Sequence, residues 1–69
     1  MLILKKFGLK VRQERLKRNL SQEELARKAG VHRTYIGMIE RAEKNITLVN
    51  IEKICKALGL NFSDFFKNL

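Results

Sequence analysis

Hydrogen bonding and charge are the only chemistry this 69-residue chain offers. Its single histidine, His32, and single cysteine, Cys55, stand 23 residues apart. Structural zinc needs about four nitrogen or sulfur ligands, so these two make no metal site. One thiol closes no disulfide within the chain, and the plain reading of Cys55 is a small buried hydrophobe. No cluster of titratable groups pairs a nucleophile with a base, and so short a chain leaves no room for a catalytic cleft. An enzyme is therefore not expected, nor a cofactor or small-molecule ligand.

Charge remains, and it is unevenly placed. Fifteen Lys/Arg against seven Asp/Glu give a net charge of +8. Residues 1–44 hold twelve of the bases and five of the acids, while residues 45–69 are nearly neutral. A polyanion should meet the first part, and some other contact should use the second. Lysines that merely keep a small protein soluble are the plain alternative.

The elements that must position these charges are helical. Apolar spacing follows the helical period nearly throughout, and no stretch alternates like a half-buried strand. Helix starts are marked by capping residues set between apolar neighbours. Ser21 lies between Leu20 and Leu25, with Glu24 completing a capping box. Thr47 lies between Ile46 and Ile51, and Asn61 between Leu60 and Phe65. His32, a poorer cap, sits between Val31 and Ile36. Asn19, Gly30 and Gly59 suit the left-handed turns that end helices. These signals predict an all-α, compact five-helix domain spanning residues 1–69, with helices at about 4–18, 21–29, 32–41, 47–58 and 61–68. The predicted core takes Phe7, Val11, Leu25, Ala26, Ala29, Ile36 and Ile39, plus a stripe of Leu48, Ile51, Ile54, Cys55 and Leu58. The second and third helices are short and joined by the tight turn Ala29-Gly30-Val31, with small alanines at 26 and 29 permitting a close crossing. That is a helix-turn-helix, which presents its second helix to the major groove of DNA.

The segments Ser21-Gln22-Glu23-Glu24-Leu25-Ala26, Ala29-Gly30-Val31, Tyr35-Ile36 and Ile39-Glu40-Arg41 resemble the phage-repressor-like helix-turn-helix family over about residues 5–66. More narrowly, His32-Arg33-Thr34-Tyr35-Ile36, Ile39-Glu40-Arg41 and Asn45 followed by Thr47-Leu48 look like the controller proteins of restriction–modification systems. The resemblance implies a small dimeric regulator binding palindromic operators upstream of its own gene and the endonuclease gene. Three positions depart from the family pattern. Glu14 stands where an apolar residue is usual, Ala42 replaces a common glycine, and Gly37 replaces a serine that often donates to DNA.

In this architecture the first half of the third helix reaches base edges. Arg33 is the foremost candidate, because a guanidinium pairs bidentately with guanine O6 and N7. A phosphate contact or a solvated charge is its alternative. Thr34 suits a base edge or a thymine methyl, or plain surface. Tyr35 suits a base or phosphate, or packing between helices. Gly37 permits close backbone approach to the duplex, or tight packing, and Met38 faces either the groove or the interior. Phosphate contacts fall to Gln22, beside the free N–H groups of a helix start, and to Arg41, Lys44 and Asn45 beyond the recognition helix, with a free solvated lysine as the alternative for Lys44. The resemblance supports Gln22, Arg41 and Asn45 in these roles. His32 donates to a phosphate or serves only as a cap. Glu40 would repel phosphates, and its expected place is inward against Arg12 or Arg15.

The neutral tail carries Phe62, Phe65, Phe66 and Leu69, too much apolar bulk for one terminal helix to bury. Self-pairing through helices at about 47–68 would cover it and set two recognition helices about 34 Å apart. A monomer whose last helix completes the core is the alternative. A repressor or antitoxin of the same fold, acting on another operon, also fits. A cationic membrane-surface protein is the alternative of another class, since the first helix is basic and partly amphipathic, but four further capped helices argue for a folded domain instead. No secretory signal or membrane span is apparent, and a cytoplasmic location is expected.

Overall fold

A computed structural model describes residues 1–67 and 69. It holds five helices: α1 (Leu2–Lys17), α2 (Gln22–Ala29), α3 (Arg33–Glu40), α4 (Leu48–Leu58) and α5 (Phe62–Phe66). The expected fifth helix ran on to 68, and Asn68 lies outside the described residues.

The caps form where the sequence puts them. The Ser21 hydroxyl accepts from the Glu24 N–H at 3.0 Å, and the Glu24 carboxylate accepts from the Ser21 N–H at 2.8 Å. That second bond holds the Glu24 carboxyl below its ordinary pKa. Thr47 and Asn61 cap α4 and α5 through the N–H groups of Asn50 and Asp64. Gly30 and Gly59 end α2 and α4 in the left-handed region, each at φ 73°. Asn19 adopts φ 55° after α1. Ala42 is forced to φ 59° where α3 ends, a conformation that burdens an L-residue by about 1–2 kcal/mol. α1 starts at Leu2, earlier than expected, with Met1 at the cap position making no side-chain bond.

One core unites all five helices. Phe7, Val11, Leu25, Ala26, Ala29, Ile36, Ile39, Ile51, Ile54, Cys55, Leu58 and Phe65 are buried together. Burial raises the pKa of the Cys55 thiol.

Two expectations fail here. Leu48 is 78% exposed rather than part of the core stripe. It sits in the first turn of α4, about 70° round the helix from the centre of the buried set. Phe65, expected in an intersubunit contact, has no exposed surface. Its ring lies 5.1 Å from that of Phe7 and 5.4 Å from that of Phe66, so it closes the core of the single chain.

Gly8 fixes how α1 meets α3. A Cβ at this position would collide with the backbone carbonyl oxygen of Ile39 and crowd that of Glu40. The end of α3 therefore rests directly on the backbone of α1, and a side chain would push it off.

Candidate nucleic-acid interface

α3 is gripped from behind by a buried ion pair. Arg15 Nε and Nη2 donate to Glu40 Oε2 and Oε1 at 2.7 and 3.0 Å. The two side chains are only 10% and 4% exposed. Arg15 Nη1 also donates to the Leu20 carbonyl at 2.9 Å, and Gln22 Nε2 donates to Glu40 Oε1 at 3.1 Å. α1, the loop before α2, α2 itself and α3 thus share one network, and Glu40 turns inward as expected, choosing Arg15 over Arg12. The carboxylate raises the pKa of the already basic Arg15 guanidinium. Such a fork–fork pair defines an angle as well as a distance, so it fixes the orientation of α3.

The outward side of α3 is left to polar groups. Arg33 and Thr34 are exposed at its start. Arg33 Nη1 donates to Glu23 Oε2 at 2.8 Å, an ion pair in which both side chains remain more than half exposed. His32 caps the helix, its Nδ1 accepting from the Thr34 N–H at 3.0 Å. The neutral ring then carries its proton on Nε2, which is free to donate outward. Arg41 ends the helix and donates twice to Glu43, at 3.0 and 3.2 Å, which raises the pKa of the arginine and lowers that of the glutamate. Lys44 and Asn45 follow, both exposed. Cationic and amide groups therefore fringe α3 at both ends, the arrangement needed to hold two stretches of phosphate backbone around a helix that reads bases.

Comparison with known proteins gives the same answer. The helix-turn-helix family model matches residues 11–65. The control protein C.BamHI of Bacillus amyloliquefaciens is 59% identical over 59 residues, which cover 84% of this chain and 73% of that protein. The chain belongs to the helix-turn-helix family, among the restriction–modification controller proteins. The crystal structure of the controller protein C.AhdI from Aeromonas hydrophila superposes with a TM-score of 0.92 at 41% identity, covering 96% of this chain and all of that one. The controller protein C.Esp1396I, solved as a tetramer in complex with its natural 35 base-pair operator, matches with a TM-score of 0.92 at 36% identity over 97% of this chain and 88% of its own.

Within this controller fold, several candidate residues occupy less simple positions than their types suggested. The amide of Gln22 is engaged by Glu40, which leaves its second N–H for an outside acceptor. Gly37 is buried, and a Cβ there would lie 3.0 Å from Arg41 Nη1 and 3.5 Å from Gln22 Oε1. Its open position is filled by these two side chains, so a base reaches Gly37 only after Arg41 moves aside. Tyr35 is half-buried against the core, and its hydroxyl accepts from Asn50 Nδ2 at 3.0 Å. The phenolic proton stays available, and α4 sets where it points. Met38 is likewise half-buried.

Glu14 explains its own unusual identity. Its side chain is 8% exposed and pairs with Arg18 at 2.7 Å, Lys17 at 3.2 Å and Lys10 at 3.5 Å. The Arg18 hydrogen bond does most to hold its pKa below the ordinary carboxylate value, against the opposing effect of burial. Three cations stand in for the apolar packing a hydrophobic residue would make.

The tail splits into two parts. Phe62 and Phe66 are 42% and 38% exposed, with ring centroids 6.3 Å apart. Phe62 lines a shallow depression with Leu48, Val49 and Glu52. Leu48 and Val49 are 78% and 62% exposed, and sequence reasoning missed them as surface groups. Leu69 instead lies on the α1 side, beside Lys6, Leu9, Lys10 and Gln13. Among the described residues no helix is long and apolar enough to cross a membrane, and no cluster of ligands suits a metal ion.

Proposed function

We propose that this chain is a sequence-specific transcriptional regulator that binds a palindromic operator as a homodimer and controls its own gene and that of a restriction endonuclease. The observation that carries this reading is the solvent-facing start of α3, where Arg33 and Thr34 stand clear of the core on a helix clamped from behind by Arg15–Glu40. Arg33 and Thr34 read base edges, with Tyr35 beside them. Gln22, His32, Arg41, Lys44 and Asn45 hold phosphates. The relative solved on its operator supports duplex DNA as the ligand.

Two copies are needed for geometric reasons. The longest extent of the chain is 26 Å, short of the about 34 Å that separates successive major-groove faces on one side of B-DNA. The patch formed by Leu48, Val49, Phe62 and Phe66 supplies an apolar face for the second copy, in the near-neutral part of the chain where like charges interfere least. Regulation is its whole activity, without catalysis, and it takes place in the cytoplasm.

Selection of genomic fragments with the purified protein, followed by footprinting, tests this reading. Two protected half-sites are expected about one helical turn apart, beside an endonuclease gene. Leu48→Glu should leave the fold intact, shift sedimentation to the monomer and abolish the paired footprint. Absence of preference for any duplex at moderate ionic strength would overturn the whole reading.

A further inference from the structure

α1 has a second apolar face that neither the core nor the groove-reading surface uses. Leu2, Leu9 and Leu16 stand seven residues apart and are 68%, 55% and 51% exposed. Each heptad step rotates a straight helix by only ~20°, so the three form one ridge. The ridge runs about 21 Å along the helix. Fully buried Val11 points the opposite way, about 140–180° round the axis from the three leucines. A helix that already buries one face has no need of a second such ridge for its own folding, and three half-exposed leucines in register are a standing invitation to association.

The neighbours of the ridge decide what fits it. Lys5 and Arg12 flank it on one side, Lys6, Gln13 and Lys17 on the other, all of them exposed. The one acidic residue of α1, Glu14, is buried and faces away. A second copy of α1 would set lysine and arginine against lysine and arginine, which rules out self-pairing on electrostatic grounds. A lipid surface calls for a broad apolar face, whereas this ridge is one residue wide. A single leucine row at heptad spacing with charged shoulders is one half of a helix–helix seam. The shallow depression lined by Lys6, Leu9, Lys10, Gln13 and Leu69 lies alongside the ridge and offers a hole for a partner's side chain.

We infer that the outward face of α1 is a docking site for an acidic amphipathic helix of another protein, seated on Leu2, Leu9 and Leu16 and flanked by Lys5, Lys6 and Arg12. None of these residues belongs to the groove-reading set, so a copy engaged on DNA keeps this face free for its partner.

The probe is a labelled synthetic peptide of about three heptads, with leucine at its two seam positions and glutamate on both shoulders. Fluorescence anisotropy with the full-length protein at moderate ionic strength should show saturable binding. Leu9→Gln/Leu16→Gln should weaken it about tenfold while leaving the thermal midpoint in place, since both side chains are half exposed. A peptide of the same composition with its leucines out of register should lose as much. Equal binding of the out-of-register peptide would mean charge attraction alone and overturn the inference. So would an undiminished affinity in the double variant, or no binding at all. Displacement of the peptide by phosphatidylglycerol vesicles that hold the protein through the same leucines would overturn it in favour of a membrane.

Discussion

Two kinds of arginine–carboxylate pair occupy opposite sides of α3, and burial separates their roles. Arg15 and Glu40 meet behind the helix with side chains 10% and 4% exposed. Arg33 and Glu23 meet in front of it at 67% and 57%, and Arg41 and Glu43 at 57% and 51%. The contact distances hardly differ. A buried pair that loses one member leaves a charge without water or partner, so it does not open. An exposed pair contributes about 0.2–1 kcal/mol and exchanges freely with solvent. The first therefore fixes the helix, while the second leaves Arg33 and Arg41, the side chains proposed to grip DNA, in pairs that open at little cost. Identical chemistry serves as scaffold or as a releasable hold, according to the water around it.

Removing the inner carboxylate tests this contrast most severely. Glu40→Ala leaves the buried Arg15 guanidinium with only the Leu20 carbonyl and frees one amide N–H of Gln22, at about 3–5 kcal/mol. Domains of this size are stabilised by on the order of 5 kcal/mol, so urea denaturation should find the variant largely unfolded. A loss below about 1 kcal/mol would place this pair with the exposed ones and erase the distinction.

The outer arginines should behave in the opposite manner. Arg33→Ala should melt at the wild-type temperature yet lose about 1–3 kcal/mol of operator affinity, with base choice relaxed at one position per half-site. Arg41→Ala should weaken binding to all sequences alike and flatten the salt dependence by about one unit per site. A fall in stability from Arg33→Ala as large as its fall in affinity would make it a scaffold residue after all.

Most of this arrangement can be read from the sequence because its signals are local. Ser21 with Glu24, Thr47, Asn61, Gly30 and Gly59 act within one helical turn, and each forms the cap or stop its type dictates. Glu40 could be assigned inward by charge alone, since a carboxylate facing phosphates is repelled. The features that escaped are tertiary. Gly8 looks like a mere weakness in a helix until the carbonyls of Ile39 and Glu40 are found above it. The Asn50–Tyr35 bond joins residues fifteen apart with no periodic cue. Phe65 and Phe62 are the same residue type and sit three residues apart, yet Phe7 covers one while the other stays 42% exposed. Which phenylalanine is core depends on where α1 happens to lie.

Glu14 is the intermediate case, a buried carboxylate whose partner Lys17 is 69% exposed. Folding lowers its pKa, chiefly through the Arg18 hydrogen bond. The stability it contributes is thus fully present above its unfolded value of about 4.3 and is lost as pH falls through the lower folded value. Glu14→Gln should destabilise the chain by about 1 kcal/mol at neutral pH. Thermal melts should show that difference shrinking as the pH is taken below about 4. A difference that stays constant down to pH 3 would mean that packing, rather than charge, holds this residue.

The smallest effect probes the front of α3 most finely. If Arg33 reads a base as proposed, it must first leave Glu23, which then competes in the free protein for the contacts of this guanidinium. Glu23→Gln removes that competitor and should tighten operator binding by about 0.2–1 kcal/mol with no comparable change in melting temperature. Removing a negative charge near phosphates would also tighten binding, but that effect does not depend on Arg33. The two are separated by making Glu23→Gln in an Arg33→Ala background, because the coupling energy isolates the pair from the background field. If Glu23 is a hold on the reading residue, the gain should disappear there. A gain that persists undiminished would show that Glu23 acts only as a charge in the field of the duplex, and that Arg33 is free before DNA arrives.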